Sequence, residues 1–378
     1  MASATFCVAP WLQACVNPDG KLTPCCQWES PSQHTFDNVD QWVNSTEMKT
    51  ARELLDNGQQ IPACNRCWSD EQTGKRSLRQ IYNKEFSKYL TGSVDIVTFD
   101  FKLGNLCNLK CAMCTGDSSS QILSEYKTNQ LKFDKIIGYR PPPLDIDFEW
   151  PLKLEFKNFL NRFKGQARWI KFTGGEPTVI PYIIDLLEDI PEPELVTISL
   201  TTNATRINLK LLSVLSKFKS VWISASIEGI GSDNDQIRYL SEWEQVEQNI
   251  LLLKNLPNVH FNINYMFQCF SVQTFIPVLK WCEKYNLKLD NLILSGPKYL
   301  KINSVDAEIV ESFKQQLTQL QLTTNQNVVE QVIEFLKGYK FDPKLKEQRL
   351  QYLSTLDNIR GTDLKNLIHR EKNESSTI

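Results

Sequence analysis

The chain has 378 residues and a formal net charge of −2, with 41% hydrophobic and 23% charged residues. This composition predicts a globular protein of roughly two or three domains. It shows no basic field that would favour nucleic acid, no apolar run that could span a bilayer and no basic start typical of a signal peptide. We therefore expect no membrane association and a cytoplasmic location. Eleven cysteines in such a chain favour metal or redox chemistry over disulfides.

The first 92 residues carry more than half of the cysteines. These are Cys7, Cys15, Cys25, Cys26, Cys64 and Cys67. The Asn-Pro-Asp-Gly sequence at residues 17–20 predicts a hairpin between residues 12–16 and 21–23. A cysteine pair near a glycine turn, followed at a distance by Cys-x2-Cys, is typical of a metal site. The spacing does not separate zinc from iron–sulfur, and two or three of these residues can equally be buried thiols.

Residues 93–300 alternate β-rich runs with helical patterns. The predicted strands are residues 94–100, 168–172, 195–200, 221–227, 259–267 and 291–294. The helical patterns between them include residues 180–190, 208–218, 241–256 and 272–285. Repeated β–α units predict an α/β fold with a parallel sheet and right-handed crossovers. Six such units, rather than eight, predict a partial (β/α)6 TIM-like barrel with its chemistry at the carboxyl ends of the strands.

Three cysteines follow the first of these strands: Cys107, Cys111 and Cys114. Electron-transfer clusters with four irons usually close every iron with a cysteine, so three thiolates leave one iron open to chelate a substrate or cofactor. Two other interpretations share this spacing. It matches one face of a helix, which would make the three residues buried apolar side chains. It also suits zinc, if a fourth ligand comes from elsewhere.

Polar residues and glycines follow the next three strands. The segment after the second strand is Thr173, Gly174, Gly175 and Glu176. Paired glycines let a backbone approach a ligand closely, and the adjacent carboxylate can accept from an ammonium group. Asn203 and Ser226 lie at the ends of the third and fourth strands, where they can meet a ribose or a carboxylate. Arg238 suits a bidentate contact with a carboxylate. A plain glycine turn, two polar strand caps and a surface arginine are the simpler interpretations.

The order Cys107-x3-Cys111-x2-Cys114, then Gly174-Gly175-Glu176-Pro177, each after a strand, resembles the radical S-adenosylmethionine (SAM) superfamily. In that superfamily the open iron binds the amino and carboxylate groups of SAM, and the reduced cluster splits SAM into methionine and a 5′-deoxyadenosyl radical. The resemblance implies that the three cysteines hold a 4Fe-4S cluster. It also implies a set of SAM contacts: Thr173, Gly174, Gly175, Glu176, Asn203, Ser226 and Arg238. Ala204 and Glu228 replace the usual Gly and Asp of the superfamily. Glu228 is therefore a weaker candidate for a SAM contact than Asn203 and Ser226.

The amino-terminal block looks like the auxiliary-cluster module called twitch, a shortened relative of the SPASM domain. The matching segments are Phe6-Cys7, Pro10-Trp11, Pro24-Cys25-Cys26, Cys64-x2-Cys67 and Gly74 to Arg79. The module usually follows the barrel, but it precedes the barrel in one subgroup of these proteins. The resemblance implies a second, auxiliary 4Fe-4S cluster held by Cys7, Cys25, Cys64 and Cys67. Cys26 competes with Cys25 for one position.

These patterns together predict a radical SAM enzyme, an oxidoreductase-type protein with three parts. Residues 1–92 form the auxiliary module, residues 93–300 the partial barrel, and residues 301–378 a helical extension. An external one-electron reductant such as flavodoxin or ferredoxin is expected, and a peptide or protein is the favoured substrate. A carbohydrate or a nucleoside or tRNA substrate is the first alternative, and a non-catalytic zinc or iron–sulfur module is the second. The sequence identifies no catalytic acid, base or hydrogen donor.

Overall fold

A computed structural model describes residues 3–72, 74 and 76–369 of the chain. Two compact units share these residues. The first unit consists of Met1–Leu106, Leu144–Leu200 and Asn208–Trp222, and the second consists of Cys107–Pro143, Thr201–Ile207 and Ile223–Ile378. Each unit combines segments that are distant in sequence, so the division at residues 92 and 300 stays a prediction.

Strands and helices alternate through most of the described chain. The strands are β1 Gln13–Val16, β2 Leu22–Thr23, β3 Thr98–Lys102, β4 Lys110–Cys111, β5 Trp169–Thr173, β6 Thr197–Thr202, β7 Ser220–Ser226, β8 Arg238–Tyr239, β9 Val259–Phe267 and β10 Lys288–Ile293. The α-helices are α1 Ala9–Leu12, α2 Val39–Val43, α3 Thr46–Asp56, α4 Asn65–Gln72, α5 Leu78–Phe86, α6 Ser120–Phe133, α7 Leu154–Phe163, α8 Ile183–Glu188, α9 Leu209–Leu215, α10 Ser232–Ile237, α11 Trp243–Lys254, α12 Ser271–Lys284, α13 Ala307–Gln319, α14 Gln326–Lys337, α15 Pro343–Arg360 and α16 Leu364–Leu367.

The main sheet has eight strands in the order β10-β9-β7-β6-β5-β3-β1-β2. Strands β3, β5 and β6 pair in parallel, as do β9 and β10. The order has two separate ends, as in an open sheet rather than a closed barrel. This confirms the α/β class and the partial-barrel architecture. The predicted hairpin is also confirmed, because β1 pairs antiparallel with β2. The sequence did not predict that β1 also pairs in parallel with β3.

An aromatic core holds the first unit together. Phe156 and Phe159 lie on α7 three residues apart, so they point to the same side of the helix. Both rings pack edge-on against Phe101 of β3, at centroid distances of 5.6 and 6.2 Å. Each buried phenylalanine contributes about 1.5–3 kcal/mol to folding.

In the second unit, helix α15 joins the core through both apolar and charged residues. Leu353 and Leu356 belong to a large buried cluster that also includes residues from β9, α12 and α13. Arg360, in the last turn, donates from Nε and Nη2 to the two carboxylate oxygens of Glu125 on α6, at 3.1 and 2.6 Å. Lys110 Nζ lies 3.4 Å from the same carboxylate. Helix α15 is therefore tied to the segment that carries the cysteine triplet.

A helix that spans a membrane must be both long and apolar. None of the helices in the described residues combines these two properties.

Candidate functional site

The first candidate site is the cysteine group of the amino-terminal module, which lies wholly in the first unit. Cys7, Cys25 and Cys64 pack with Trp68 and other apolar residues in one cluster. The pKa values of Cys7 and Cys64 are each raised to about 12, chiefly by burial, and the thiol of Cys67 adds to the rise in both. Thiols this close would repel one another as thiolates, and a bound metal would reverse that effect.

Cys26, which follows Cys25 directly, has a different set of charged neighbours. Burial raises the pKa of its thiol, and the next cause is the nearby carboxylate of Asp100, while Lys171 opposes the rise. For Cys25, in contrast, the neighbours after burial include Cys7 and Cys64 as well as Cys26. Cys15, on β1, also lies near Asp100, with which it pairs across β1 and β3. The structure thus brings together the four cysteines that the sequence assigned to the auxiliary cluster, whereas Asp100 is the main charged neighbour of Cys26 and Cys15.

Hydrogen bonds on both flanks fix the backbone around Cys7. Asn83 Oδ1 accepts from the Val8 amide at 2.9 Å, and Asn83 Nδ2 donates to the Phe6 carbonyl at 2.7 Å. Arg79 Nη1 donates to the same carbonyl at 2.7 Å. Because these side chains come from α5, they position a cysteine that lies more than 70 residues earlier in the chain.

Arg79 also links α5 to α4, the helix that carries Cys67. Its Nε and Nη2 donate to the carboxylate of Glu71 at 3.0 and 2.7 Å, and its guanidinium lies 5.0 Å from the ring of Trp68. The sequence placed Arg79 in a motif but gave it no role. Its role becomes visible only when the contacts to α4 and to the Cys7 segment are seen together.

The second candidate site is the Gly-Gly-Glu segment after β5, also in the first unit. Gly174 and Gly175 have φ values of +75° and +31°, and a Cβ atom on Gly175 would lie 2.2 Å from the carbonyl oxygen of Leu106. A Cβ on Gly174 would lie 2.9 Å from the Cα of Lys102. The Glu176 amide donates to the Leu106 carbonyl at 2.8 Å. Glycine is thus required where this segment meets the chain just before the cysteine triplet.

The polar side chains of this segment are held in place. The buried carboxylate of Glu176 accepts from the amide and hydroxyl of Thr178 through Oε1, at 3.0 and 2.7 Å. Thr173, at the end of β5, donates from its hydroxyl to Asp100 at 3.5 Å, and its carbonyl accepts from the Leu103 amide at 3.3 Å. A fixed carboxylate at a strand end can accept from a ligand ammonium group.

The third candidate site is the cysteine triplet of the second unit. Cys107, Cys111 and Cys114 lie in one packed group with Leu109. Burial raises the pKa of Cys111 to about 12, with Arg238 lowering it and Cys107 adding to the rise. The pKa of Cys114 is also raised, first by burial and then by Cys111 and Cys107. The three thiols are therefore close neighbours, and not merely residues on one face of a helix, since the segment contains the short strand β4 instead.

Two serines fix the conformation of the triplet loop. Ser119 Oγ donates to the Leu109 carbonyl at 2.7 Å and accepts from the Ile122 amide, which caps α6. The amide of Cys107 donates to Ser120 Oγ at 3.2 Å. The start of α6 thus holds the loop that precedes it.

Elements from later in the chain complete the support of this loop. Cys111 pairs with Arg238 across the β4–β8 ladder, and the Ala112 amide donates to the Ile237 carbonyl at 2.8 Å. The hydroxyl of Tyr352, on α15, donates to the Ala112 carbonyl at 2.7 Å. These contacts join residues that are far apart in sequence, so the sequence patterns did not reveal them.

Arg238 is engaged by a carboxylate of the chain itself. Its Nη2 donates to Glu228 Oε1 at 3.2 Å, and its Nε forms a very short contact with Glu228 Oε2. Its Nη1 points to the sulfur of Cys111 at 3.7 Å. Glu228 therefore orients the guanidinium, and Arg238 brings positive charge to the thiol group.

Asn203 and Ser226 lie in the second unit with the cysteine triplet. Asn203 Nδ2 donates to Asn108 Oδ1 at 3.0 Å, and Asn108 Nδ2 donates to Thr205 Oγ1 at 2.8 Å. Asn108 lies within the triplet segment, so this network ties the end of β6 to the cysteine loop. Ser226, at the end of β7, accepts from Asn264 Nδ2 at 3.4 Å.

The two cysteine groups differ from the site of a single metal ion in the spacing of their thiols. As the side chains stand, no three or more His, Cys, Asp or Glu residues in the described part of the chain are grouped to hold a metal ion. The ligands of an iron–sulfur cluster bind different iron atoms, so they stand further apart than the ligands of a single ion. Three grouped thiols in one unit and four in the other suit such clusters in number and in chemistry.

Two protein families match the chain. The radical SAM superfamily matches residues 101–268, and the SPASM iron-sulfur cluster-binding domain matches residues 7–68. The chain therefore carries a radical SAM domain, with an iron–sulfur cluster-binding domain ahead of it. Its cofactors are accordingly a 4Fe-4S cluster, SAM and an auxiliary iron–sulfur cluster. A comparison with curated proteins found no match.

Solved structures were compared with the chain as well. Native anSMEcpe with bound AdoMet is 19% identical, with 64% of this chain and 61% of that chain covered and a TM-score of 0.38. SuiB of Streptococcus suis bound to the precursor peptide SuiA is 16% identical, with 70% and 61% covered and a TM-score of 0.38. TYW1 with a lysine-pyruvate adduct bound is 13% identical, with 59% and 71% covered and a TM-score of 0.31. The chain spans about three fifths of the first two structures, and TM-scores this low support no conclusion about function.

We predict that Cys25→Ala and Cys26→Ala differ in iron content after anaerobic reconstitution. Cys25→Ala should lose up to about four of about eight irons, because a thiol of the auxiliary group is removed. Cys26→Ala should keep the wild-type content, because its thiol lies beside Asp100. The measurement is a colorimetric iron assay per chain. Loss of iron from Cys26→Ala with full retention in Cys25→Ala would reverse the assignment.

We also predict that Gly175→Ala destabilises the protein by about 3 kcal/mol and abolishes SAM binding, because its Cβ would collide with the Leu106 carbonyl. Thermal unfolding and equilibrium dialysis with labelled SAM measure the two effects. Gly165→Ala is the matched control, since a Cβ there meets nothing within 4 Å. Equal SAM binding by the two alanine variants would show that the Gly-Gly-Glu segment does not contact SAM.

Proposed function

We propose that the chain is an enzyme that cleaves SAM reductively and takes a hydrogen atom from a peptide or protein substrate. The observation that carries this proposal is the grouping of Cys107, Cys111 and Cys114 in one buried set beside Arg238. Three thiol ligands leave one iron of a four-iron cluster open. When bound, that cluster supplies the electron that cleaves SAM and so generates the 5′-deoxyadenosyl radical.

The residues of the chain bind, orient and shield the cofactors. Cys107, Cys111 and Cys114 would hold the first cluster, and the serines and tyrosine around their loop would keep them in place. Burial of the loop excludes water, which protects a reactive radical from side reactions. The guanidinium of Arg238 places positive charge next to the sulfur of Cys111, and such charge stabilises the thiolate form.

The SAM contacts follow from the residues at the strand ends. Thr173, Gly174, Gly175 and Glu176 would bind the amino group of SAM, with the carboxylate of Glu176 as the acceptor. Asn203 and Ser226 would contact the rest of the cofactor. Arg238 would act on SAM less directly than the sequence suggested, because Glu228 already occupies two of its nitrogens.

Four cysteines would hold the auxiliary cluster: Cys7, Cys25, Cys64 and Cys67. Four ligands close a four-iron cluster, so its role would be electron transfer or structural support and not substrate binding. The domain order would be an auxiliary module at residues 1–92, a barrel at 93–300 and an extension at 301–378.

Several features of the chain support a peptide or protein substrate and a cytoplasmic setting. The auxiliary module resembles those of twitch and SPASM proteins, which often modify peptides. The net charge of −2 provides no general attraction for RNA. A flavodoxin or ferredoxin would deliver the electron. Free thiols that bind iron need a reducing compartment, which favours the cytoplasm.

The test is SAM cleavage with dithionite as the reductant. The reconstituted wild type should release 5′-deoxyadenosine, and Cys111→Ala should release at least about 1000-fold less, because one ligand of the reacting cluster is lost. Cys282→Ala, which removes a buried thiol of α12 outside both groups, is the matched control and should keep its activity. Equal release by the wild type and Cys111→Ala would contradict the proposal.

Substrate class is tested in the same assay. Peptide pools should raise 5′-deoxyadenosine release, whereas total tRNA should not. Stimulation by RNA alone would leave SAM cleavage standing and would reverse the choice of a peptide substrate.

A further inference from the structure

A buried guanidinium with no hydrogen-bond partner among the described residues lies outside the sites discussed above. Arg349, on α15, is 0% exposed. Among the residues that the structure describes, none accepts a hydrogen bond from its Nε, Nη1 or Nη2. Burial lowers the pKa of Arg349, yet an arginine stays protonated at any physiological pH. A full positive charge is therefore buried, and its three nitrogens donate to none of the described residues.

The groups near Arg349 do not neutralise it. Cys269 is one of them, but burial raises the pKa of its thiol to about 12, so it stays uncharged at neutral pH. Asp306 is another, but its carboxylate accepts from Lys346 Nζ at 2.7 Å. The hydroxyl of Tyr339 donates to the carbonyl of Val305 at 2.6 Å. Lys346, which binds Asp306, adds a further positive charge near Arg349.

Arg360, on the same helix, shows how this fold treats a structural arginine. It is buried too, but its Nε and Nη2 bind both oxygens of Glu125. A buried charge without a partner costs several kcal/mol, of the order that a broken buried ion pair costs. The contrast between Arg360 and Arg349 indicates that Arg349 is kept for an anion that is not one of the described side chains.

The chemistry of the guanidinium selects the kind of anion. A guanidinium binds carboxylate and phosphate through two parallel hydrogen bonds. A single buried cation balances a carboxylate, which has one negative charge, better than a phosphate group, which has about 1.5 to 2. Gln268, the residue before Cys269, is buried as well, and neither atom of its amide has a partner within the described residues.

The position of Arg349 connects it with the proposed chemistry. Tyr352 lies one helical turn further along α15 and donates to the Ala112 carbonyl inside the cysteine triplet loop. Cys269 and Gln268 follow the carboxyl end of β9, the end at which parallel sheets place their sites. His369 is solvent-exposed and lies near enough to Arg349 for the guanidinium to lower its pKa, after the larger effect of burial.

We propose that Arg349 binds a carboxylate group of the peptide substrate. This rests on the proposed function for the identity of the substrate, but the carboxylate site itself does not depend on SAM cleavage. Arg349 is then a specificity-determining residue that fixes one end of the substrate within the unit that carries the cysteine triplet.

The test is the thermal unfolding of the reconstituted protein with two matched probes, N-acetylalanine and N-acetylalaninamide, at equal ionic strength. Only the first has a carboxylate. N-acetylalanine should raise the melting temperature of the wild type by about 2 °C or more at saturating concentration, and the amide should not. Arg349→Met should abolish the shift. Arg349→Lys keeps the charge but loses the fork, and should give a smaller shift.

Two further measurements separate binding from a structural role. Without a probe, Arg349→Met should melt no lower than the wild type, because an unpaired buried charge is replaced by an apolar side chain. Arg360→Met should melt several degrees lower, because Glu125 loses its partner, and it should keep the response to N-acetylalanine. If Arg360→Met does not fold, the comparison of Arg349→Lys with Arg349→Met carries the test.

Four results would overturn the proposal. The first is no response of the wild type to N-acetylalanine. The second is an equal response in Arg349→Met. The third is a larger shift with inorganic phosphate than with either probe, which would assign the site to phosphate. The fourth is a response only in a chain truncated after His369, which would make a carboxylate of the sequence that follows, such as Glu371, the natural partner. A protein that responds to N-acetylalanine but does not cleave SAM would keep the carboxylate site and lose the proposed function.

Discussion

The fold depends on holding buried thiols close to one another. Burial raises the pKa values of Cys7 and Cys64 in one cysteine group and of Cys111 and Cys114 in the other, and the neighbouring thiols oppose deprotonation further. The protonated thiols pack as small apolar groups, so the electrostatic penalty falls on the thiolate form alone. The arrangement is understandable if a metal group binds the thiolates, since a bound cation reverses the penalty.

The surrounding structure meets this constraint with hydrogen bonds to the backbone. Asn83 and Arg79 hold the chain on both sides of Cys7, and Ser119 and Tyr352 hold the loop of the triplet. None of these four side chains has to bind a metal in order to position the cysteines. A cysteine ligand is useful only when its backbone is fixed, because ligand geometry is lost with small displacements.

Local patterns in the sequence carried much of this information. The strand pattern at residues 259–267 agrees with β9, and the spacing of Cys107, Cys111 and Cys114 marked them as one set, because these signals lie within short segments. The choice between Cys25 and Cys26 was out of reach, since it depends on which thiol turns toward Asp100 of β3. The pairing of Arg238 with Glu228, and the isolation of Arg349, also depend on contacts between distant segments. Such contacts follow from packing and leave no periodic trace in the sequence.

The most direct test of whether the chain holds two separate clusters is its iron and zinc content after anaerobic reconstitution, measured with the visible absorption spectrum. The wild type should hold about eight irons and little zinc, and a Cys107→Ala/Cys111→Ala/Cys114→Ala variant should hold about four, because only the triplet is removed. About four irons in the wild type and none in the variant would contradict the auxiliary cluster. Zinc in place of iron in both proteins would contradict the radical SAM chemistry itself.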